Sequence, residues 1–181
     1  LKVLADAAQS FGGSFKNQKV GSLASATATS FFPTKPLGSY GDGGAVLTND
    51  DTLARALRSL RAHGGGRDRY DNVRIGTNSR LDTLQAAILI EKLPLLENEI
   101  MARNEVAMRY SSGIKGLVRT PVVMPDRISA WAHYTVQMAN RTDVFSSLKV
   151  RGVPTAIYYP KPLHLQVAYQ KFPCAPGGLR V

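Results

Sequence analysis

Lys35 is the residue whose surroundings point most directly to chemistry. It stands in the stretch Thr29-Ser-Phe-Phe-Pro-Thr-Lys-Pro-Leu-Gly-Ser-Tyr-Gly-Asp-Gly-Gly44, bracketed by Pro33 and Pro36. Neither proline has a backbone N–H to donate, and each restricts the residue before it, so the turn is stiff. The glycines that follow permit close backbone approach. The alternating run Ala26 to Phe32 predicts a half-buried strand leading into the turn. The amine then sits beyond the carboxyl end of a strand, where open α/β sheets bind ligands. A neutral lysine amine attacks carbonyl carbon, and near neutral pH it is neutral only where burial or neighbouring cations disfavour its proton. A solvated turn lysine is the plain alternative.

Five other polar residues have suggestive positions. Asp6 closes a short apolar run, Lys2 to Ala5, read as a buried strand. An aspartate there is either a turn residue or a carboxylate available to a ligand. Gln9 follows three residues later, and Ser30 lies five residues before Lys35. Asn78-Ser-Arg80 precedes a predicted helix and reads by its residue types as a capping pair, Asn78 at the N-cap and Arg80 in the first turn.

These residues need elements to hold them. Gly12-Gly13 and Lys16-Asn-Gln-Lys19 predict a turn-rich excursion, and Gly44 to Asn49 a further strand. Asp50 or Asp51 caps a predicted helix from Thr52 with Leu53, Leu57 and Leu60 on one face. His63 and Gly64-Gly-Gly66 end it, the histidine beside the helix dipole. The glycine triplet lacks the Lys-Ser/Thr ending of a phosphate loop and is read as a helix stop and mobile loop. Helices are predicted from about Leu81 to Leu93 and from about Leu95 to Tyr110, broken at Pro94. Met101 and Met108 read as packing residues on the second. Aperiodic residues 114–126 mark a domain connection, dividing the chain into 1–115 and 116–181. Beyond it, His133 to Ala139 and Val153 to Tyr159 predict strands around a helix capped by Thr142, a small α+β domain. His133 is read as structural, Tyr158, Tyr159 and His164 as candidate contacts to a ligand or as ordinary packing.

The ordered motifs resemble one family. Ser30-Phe-Phe-Pro-Thr-Lys35-Pro-Leu-Gly with Gly41-Asp-Gly-Gly, Leu4-Ala-Asp-Ala-Ala-Gln9-Ser-Phe-Gly, and Gly76-Thr-Asn78-Ser-Arg80-Leu are similar to segments of the DegT/DnrJ/StrS nucleotide-sugar aminotransferases. The resemblance implies an α/β fold, a fragment of an aspartate-aminotransferase-like (fold type I) enzyme with a mixed-sheet large domain and part of a small α+β C-terminal domain. It implies pyridoxal 5′-phosphate bound covalently to Lys35. Asp6 is then the acid under the ring nitrogen, expected to be buried. Gln9 bonds the ring's phenolic oxygen, and Ser30 the phosphate. Asn78 and Arg80 reach the phosphate of the neighbouring subunit, so a homodimer shares its active sites. Tyr158, Tyr159, His164 and Arg80 approach the substrate. The reaction implied moves an amino group from glutamate to a keto-sugar on a nucleoside diphosphate, in amino-sugar and cell-surface polysaccharide (lipopolysaccharide) biosynthesis. The wording around Lys35 resembles members acting on UDP-2-acetamido-3-oxo-glucuronate. Related dehydratases carry histidine in place of this lysine, so the lysine favours transamination. Family members are longer, which implies an internal fragment, expected to be inactive alone.

Composition bounds the rest. The chain has 181 residues, 44% hydrophobic, with a net charge of +10. The charge suits anionic ligands, and a basic nucleotide- or nucleic-acid-binding module without catalysis is the alternative reading. No zinc-finger spacing or aromatic-interleaved basic tract accompanies it, so nucleic acid is not the expected partner. No apolar run approaches the roughly 20 residues of a membrane helix, and no signal-peptide pattern opens the chain. Cys174 is the one cysteine, which excludes an intrachain disulfide and a cysteine zinc cluster. No metal is expected, and a reducing cytoplasmic setting is.

Overall fold

The computed structural model describes residues 1–68, 70–173 and 175. Cys174 and residues 176–181, for which the sequence reading expects no closing element, lie outside the described residues. Two compact units emerge, Leu1–Gln137 and Met138–Val181.

In the first unit, β1 (Leu4–Asp6) runs parallel to β4 (Ala26–Ser30), which pairs antiparallel with β5 (Gly44–Leu47). The order β1-β4-β5 makes a mixed sheet. Its register sets Asp6 opposite Ala28, so Asp6, Ala28 and Ser30 share one face. Thr27 and Thr29 point to the other face and are buried. β1 is an edge strand, and Leu4 is 70% exposed; the expected burial fails because only β4 flanks it.

A second small sheet joins β2 (Ser14–Phe15), β3 (Gln18–Lys19) and β6 (Arg127–Ile128) in the order β3-β2-β6. Lys16 and Asn17 turn the β2–β3 hairpin with φ of 48° and 63°. Two positive φ angles give the turn whose twist matches paired strands.

Helix α1 (Asp51–Leu60) starts at Asp50, whose carboxylate accepts from Thr52 N (2.8 Å) and Leu53 N (3.1 Å). Its apolar face, with Leu57 and Leu60, borders a cavity of about 1360 Å³ shared with Leu47, Leu81, Leu96 and Ile100. His63 and Gly64 stop the helix in the left-handed region, at φ 62° and 76°. The glycine triplet is no loose loop. Gly64 N donates to Ser59 O, Val73 N to Gly64 O and Gly66 N to Asp71 O. A Cβ on Gly64 would lie 1.8 Å from the Arg74 carbonyl oxygen.

Helices α2 (Thr83–Lys92) and α3 (Leu96–Gly113) are separated by a 3-10 turn, Leu93–Leu95, with Pro94 inside it. Their inner faces supply Leu89, Leu96 and Ile100 to a core with Phe31, Leu37 and Ala130. Phe11 meets Phe31 edge to face, centroids 6.2 Å apart. Met101 and Met108 both lie more than half exposed on α3.

Residues 116–137, assigned by sequence to the second domain, pack with the first unit. β6 pairs with β2, and Trp131 and Tyr134 pack beside Tyr110 of α3. The strand expected at His133–Ala139 reduces to one bridge between Gln137 and Arg119. The second unit holds α4 (Arg141–Val150) and short 3-10 turns at Leu163–Leu165 and Val167–Tyr169. Residues 153–159 form no strand, because alternation makes a strand only where a neighbouring chain completes the ladder.

Candidate active site

The carboxyl ends of β1 and β4 lie side by side, and four candidate residues leave from them. Beyond Asp6 the chain turns on Ala7, which is fully buried. Ala7 N donates to Ala28 O (2.7 Å), and its carbonyl accepts from Phe11 N and from the Thr29 hydroxyl. This fixes the base from which Asp6 and Gln9 project. One carboxylate oxygen of Asp6 accepts from Ala8 N at 2.9 Å. Asp6 is exposed rather than buried, because it faces away from the core on an edge strand. Ser30 ends β4 on the same sheet face, its hydroxyl accepting from Phe32 N at 3.3 Å.

The Lys35 turn is clamped along its whole length. Lys35 N donates to Phe32 O (2.9 Å), and Ser39 N and Phe31 N close bonds to Phe31 O and Gly43 O. The Ser39 hydroxyl, 1% exposed, lies 2.8 Å from Phe31 O and 2.7 Å from Gly41 O. Gly38 passes so near Pro33 that a Cβ would come within 2.4 Å of its carbonyl oxygen. Three side chains hold the turn from the helices. Gln85 Oε1 accepts from Tyr40 N (2.8 Å), the Lys92 ammonium donates to Gly38 O, and Arg103 Nη2 donates to Pro36 O (3.4 Å). Lys35 itself is half-buried between buried Pro36 and exposed Thr34.

Sequence reasoning named none of these holders as site residues. Arg103 left one trace: a cation in the helical series Leu96, Ile100, Arg103, Ala107, where a charge stands on an otherwise inward face. Ser39, Gln85 and Lys92 left none. His133, read as structural, stands with its Nδ1 3.1 Å from Gln9 Oε1.

Asn78 and Arg80 pair with each other, Arg80 Nε donating to Asn78 Oδ1 at 3.2 Å. The capping alternative for Asn78 falls away, since α2 begins at Thr83 after Asp82. Their segment is pinned to the end of α1 through Thr77 N to Leu60 O and Ser79 N to Arg61 O, leaving both side chains exposed. Tyr158, Tyr159 and His164 belong to the second unit. The two tyrosine rings lie 5.6 Å apart, and His164 sits in the Leu163–Leu165 turn.

An amine on a rigid turn, a carboxylate and a hydroxyl on one sheet face, and a carboxamide beside them match what pyridoxal phosphate requires. Such groups could offer an attachment point, a counter-charge for the ring nitrogen, and hydrogen bonds to its oxygens.

The DegT/DnrJ/EryC1/StrS aminotransferase family matches residues 1–178. The chain belongs to this family. A UDP-2-acetamido-2-deoxy-3-oxo-D-glucuronate aminotransferase of Pseudomonas aeruginosa is 53% identical over 169 residues, 93% of this chain and 47% of that protein. The crystal structure of a family member from Brucella abortus is 52% identical with a TM-score of 0.95, covering 99% of this chain and 48% of its own. That of S. venezuelae DesV in complex with a ketimine intermediate is 42% identical with a TM-score of 0.90, covering 94% and 46%. The chain thus spans about half the length of the relatives it matches. The mixed sheet is part of the fold type I architecture, and pyridoxal 5′-phosphate is the family's cofactor. Membership does not favour the alternative of a nucleic-acid-binding module. Among the described residues no helix is long and apolar enough to cross a membrane.

Proposed function

We propose that this chain carries the lysine half of a pyridoxal-phosphate site in a nucleotide-sugar aminotransferase. Glutamate gives up its amino group and leaves as 2-oxoglutarate; the group then replaces the ketone oxygen of a sugar on a nucleoside diphosphate. The observation that carries the reading is the clamped Lys35 turn beside the carboxyl ends of two parallel strands. The Pseudomonas relative supports a UDP-linked 3-oxo-uronic acid as the substrate class.

When bound, the cofactor supplies an electron-accepting ring that stabilises charge developing at the substrate carbon. Lys35 supplies the amine that anchors the cofactor. Once released, the same amine moves a proton at the substrate carbon as general base and then acid. Asp6 would keep the ring nitrogen protonated by charge pairing. Gln9 donates to the phenolic oxygen, and Ser30 to the phosphate. Asn78 and Arg80, exposed and prealigned by their mutual bond, suit a phosphate held by a second copy, which makes the working unit a homodimer. Arg80 also suits the substrate's own anionic groups. Tyr158, Tyr159 and His164 offer hydroxyl and imidazole contacts to the sugar. A nucleotide-linked substrate places the reaction in the cytoplasm, in the making of amino-sugars for surface polysaccharides, including lipopolysaccharide.

Borohydride reduction of the cofactor-loaded intact protein, followed by digestion and mass spectrometry, tests the reading. The reduced adduct is expected on the peptide containing Lys35. An adduct on another lysine, or none, overturns it.

A further inference from the structure

We propose that His133 is a positioning residue that fixes which end of the Gln9 carboxamide faces the cofactor ring. The inference rests on the reading of the Lys35 region as a pyridoxal-phosphate site. His133 Nδ1 stands 3.1 Å from Gln9 Oε1, joining segments 124 residues apart.

Both ends of this contact are built on fixed ground. On one side, Gln9 leaves the turn held by the Ala7 carbonyl, which accepts from Ser10 N and Phe11 N. On the other, the residues around His133 are tied to α3. Asn104 Nδ2 donates to Ser129 O (3.0 Å), and its Oδ1 accepts from Trp131 Nε1 (2.9 Å). Tyr134 shares a hydrogen bond with Ser111 (2.8 Å), its ring 5.3 Å from Tyr110 and 5.4 Å from Trp131. The imidazole is therefore presented from a backbone that α3 sets.

A carboxamide has an acceptor end and a donor end, and a freely turning glutamine offers either. The phenolic oxygen of pyridoxal phosphate carries negative charge and needs a donor. With Nδ1–H donating to Gln9 Oε1, the acceptor end is occupied and Nε2–H remains for the ring. The reverse orientation would aim a carbonyl oxygen at an anion. The imidazole bonded to Gln9 thus selects the orientation, as an outer partner orients a metal ligand. His133 touches no reacting atom; it acts through Gln9.

Two measurements on the intact protein decide the matter. Without cofactor, ¹⁵N shifts of labelled histidine identify which nitrogen of neutral His133 carries the proton. Nδ1–H is expected, and Gln9→Ala should return the ring to the Nε2–H form. A wild-type His133 protonated on Nε2 overturns the proposal. With cofactor, the pH midpoint of its absorbance change is read. His133→Phe is expected to raise it by about one unit, a tenfold change in proton binding, because Gln9 is no longer held with its N–H end toward the phenolic oxygen. His133→Asn, whose amide N–H can replace Nδ1–H, should restore it. The Gln9→Ala, His133→Phe double variant should shift no further than Gln9→Ala alone, the signature of one residue working through the other. Additive shifts, or an unmoved midpoint in His133→Phe, overturn the proposal. Should no cofactor absorbance form at all, the proposed function fails, while the tautomer measurement still decides the hydrogen bond.

Discussion

Arg103 and Asn104 are neighbours on α3, yet they hold two different loops. Arg103 Nη2 reaches the Pro36 carbonyl, one residue past Lys35, while Asn104 binds Ser129 and Trp131. Consecutive helical side chains diverge by about 100°, so one helix can address two sides of a site. The distance between the lysine turn and the His133 segment is therefore set by a single rigid element. Rigid support of this kind keeps reactive groups within the tolerance that catalysis needs.

Asn104 carries the larger share of stability. Its side chain donates to Ile100 O (2.7 Å) and Ser129 O (3.0 Å) and accepts from Trp131 Nε1 (2.9 Å). Asn104→Leu keeps the branched shape and removes all three bonds, leaving the partly buried indole N–H without this acceptor. A loss of about 2–3 kcal/mol is expected in urea unfolding, with the slope unchanged.

Arg103 bears more on activity. Its bond to Pro36 is long, and it also pairs with Glu99 at 3.3 Å. The adjacent Nη1 is buried without a partner among the described residues, so the guanidinium is only partly repaid for its desolvation. Arg103→Met retains the packing of the stem and releases the turn. Stability should change by no more than about 1 kcal/mol. The catalytic constant should fall about tenfold or more, because Lys35 loses its register. Paired unfolding and steady-state assays check the two halves.

Local chemistry explains what could be seen in the sequence. Pro33, Pro36 and the glycines after Lys35 act on their own backbone, so the turn is visible without its surroundings. Asp50 before Thr52, and Pro94 between two periodic runs, are equally local signals, and the structure places a cap and a helix break there. What was hidden depends on distance. Lys92 and Arg103 meet the lysine turn across 54 and 67 residues, and nothing in either residue's neighbourhood encodes that meeting. Residues 153–159 alternate like a strand but form no strand ladder among the described residues. Asp6 reads as a strand-end carboxylate, yet its exposure follows from β1 being an edge, a fact of topology.

Acid should weaken α1 through Asp50. Bonds from Leu53 N and then Thr52 N hold its carboxyl below the usual value, with Lys2 and Arg55 adding smaller attractions. A depressed folded-state pKa means the unfolded chain takes up this proton first. The cap's contribution is then fully present above the unfolded value, near 3.8, and is lost as pH falls through the folded one. Asp50→Ala should lower Tm at neutral pH, and the gap to wild type should narrow below about pH 4. Thermal melts from pH 7 down to 3 measure it. A gap that stays constant across that range would exclude the carboxylate as the cap that matters.

Gly38 limits how the lysine turn can be altered. Its φ is not in the left-handed region, so conformational freedom is not the issue; space is. A Cβ there would stand 2.4 Å from Pro33 O, 2.8 Å from Pro33 C and 3.0 Å from Phe32 O, all backbone atoms with no rotamer to escape into. Gly38 also presents its carbonyl to Lys92, so moving Gly38 away would strain that contact. Pro33 is the softer partner, because it stands on the exposed side of the turn. Gly38→Ala should therefore push Pro33 outward and carry Lys35 with it. About 1–3 kcal/mol of stability should be lost, as for other overpacked sites. The yield of borohydride-trapped Lys35 should fall by more than that loss of folded protein explains. Trapping yield normalised to folded fraction separates the two effects, and a normalised yield equal to wild type would show that the turn's shape does not govern the lysine's reach.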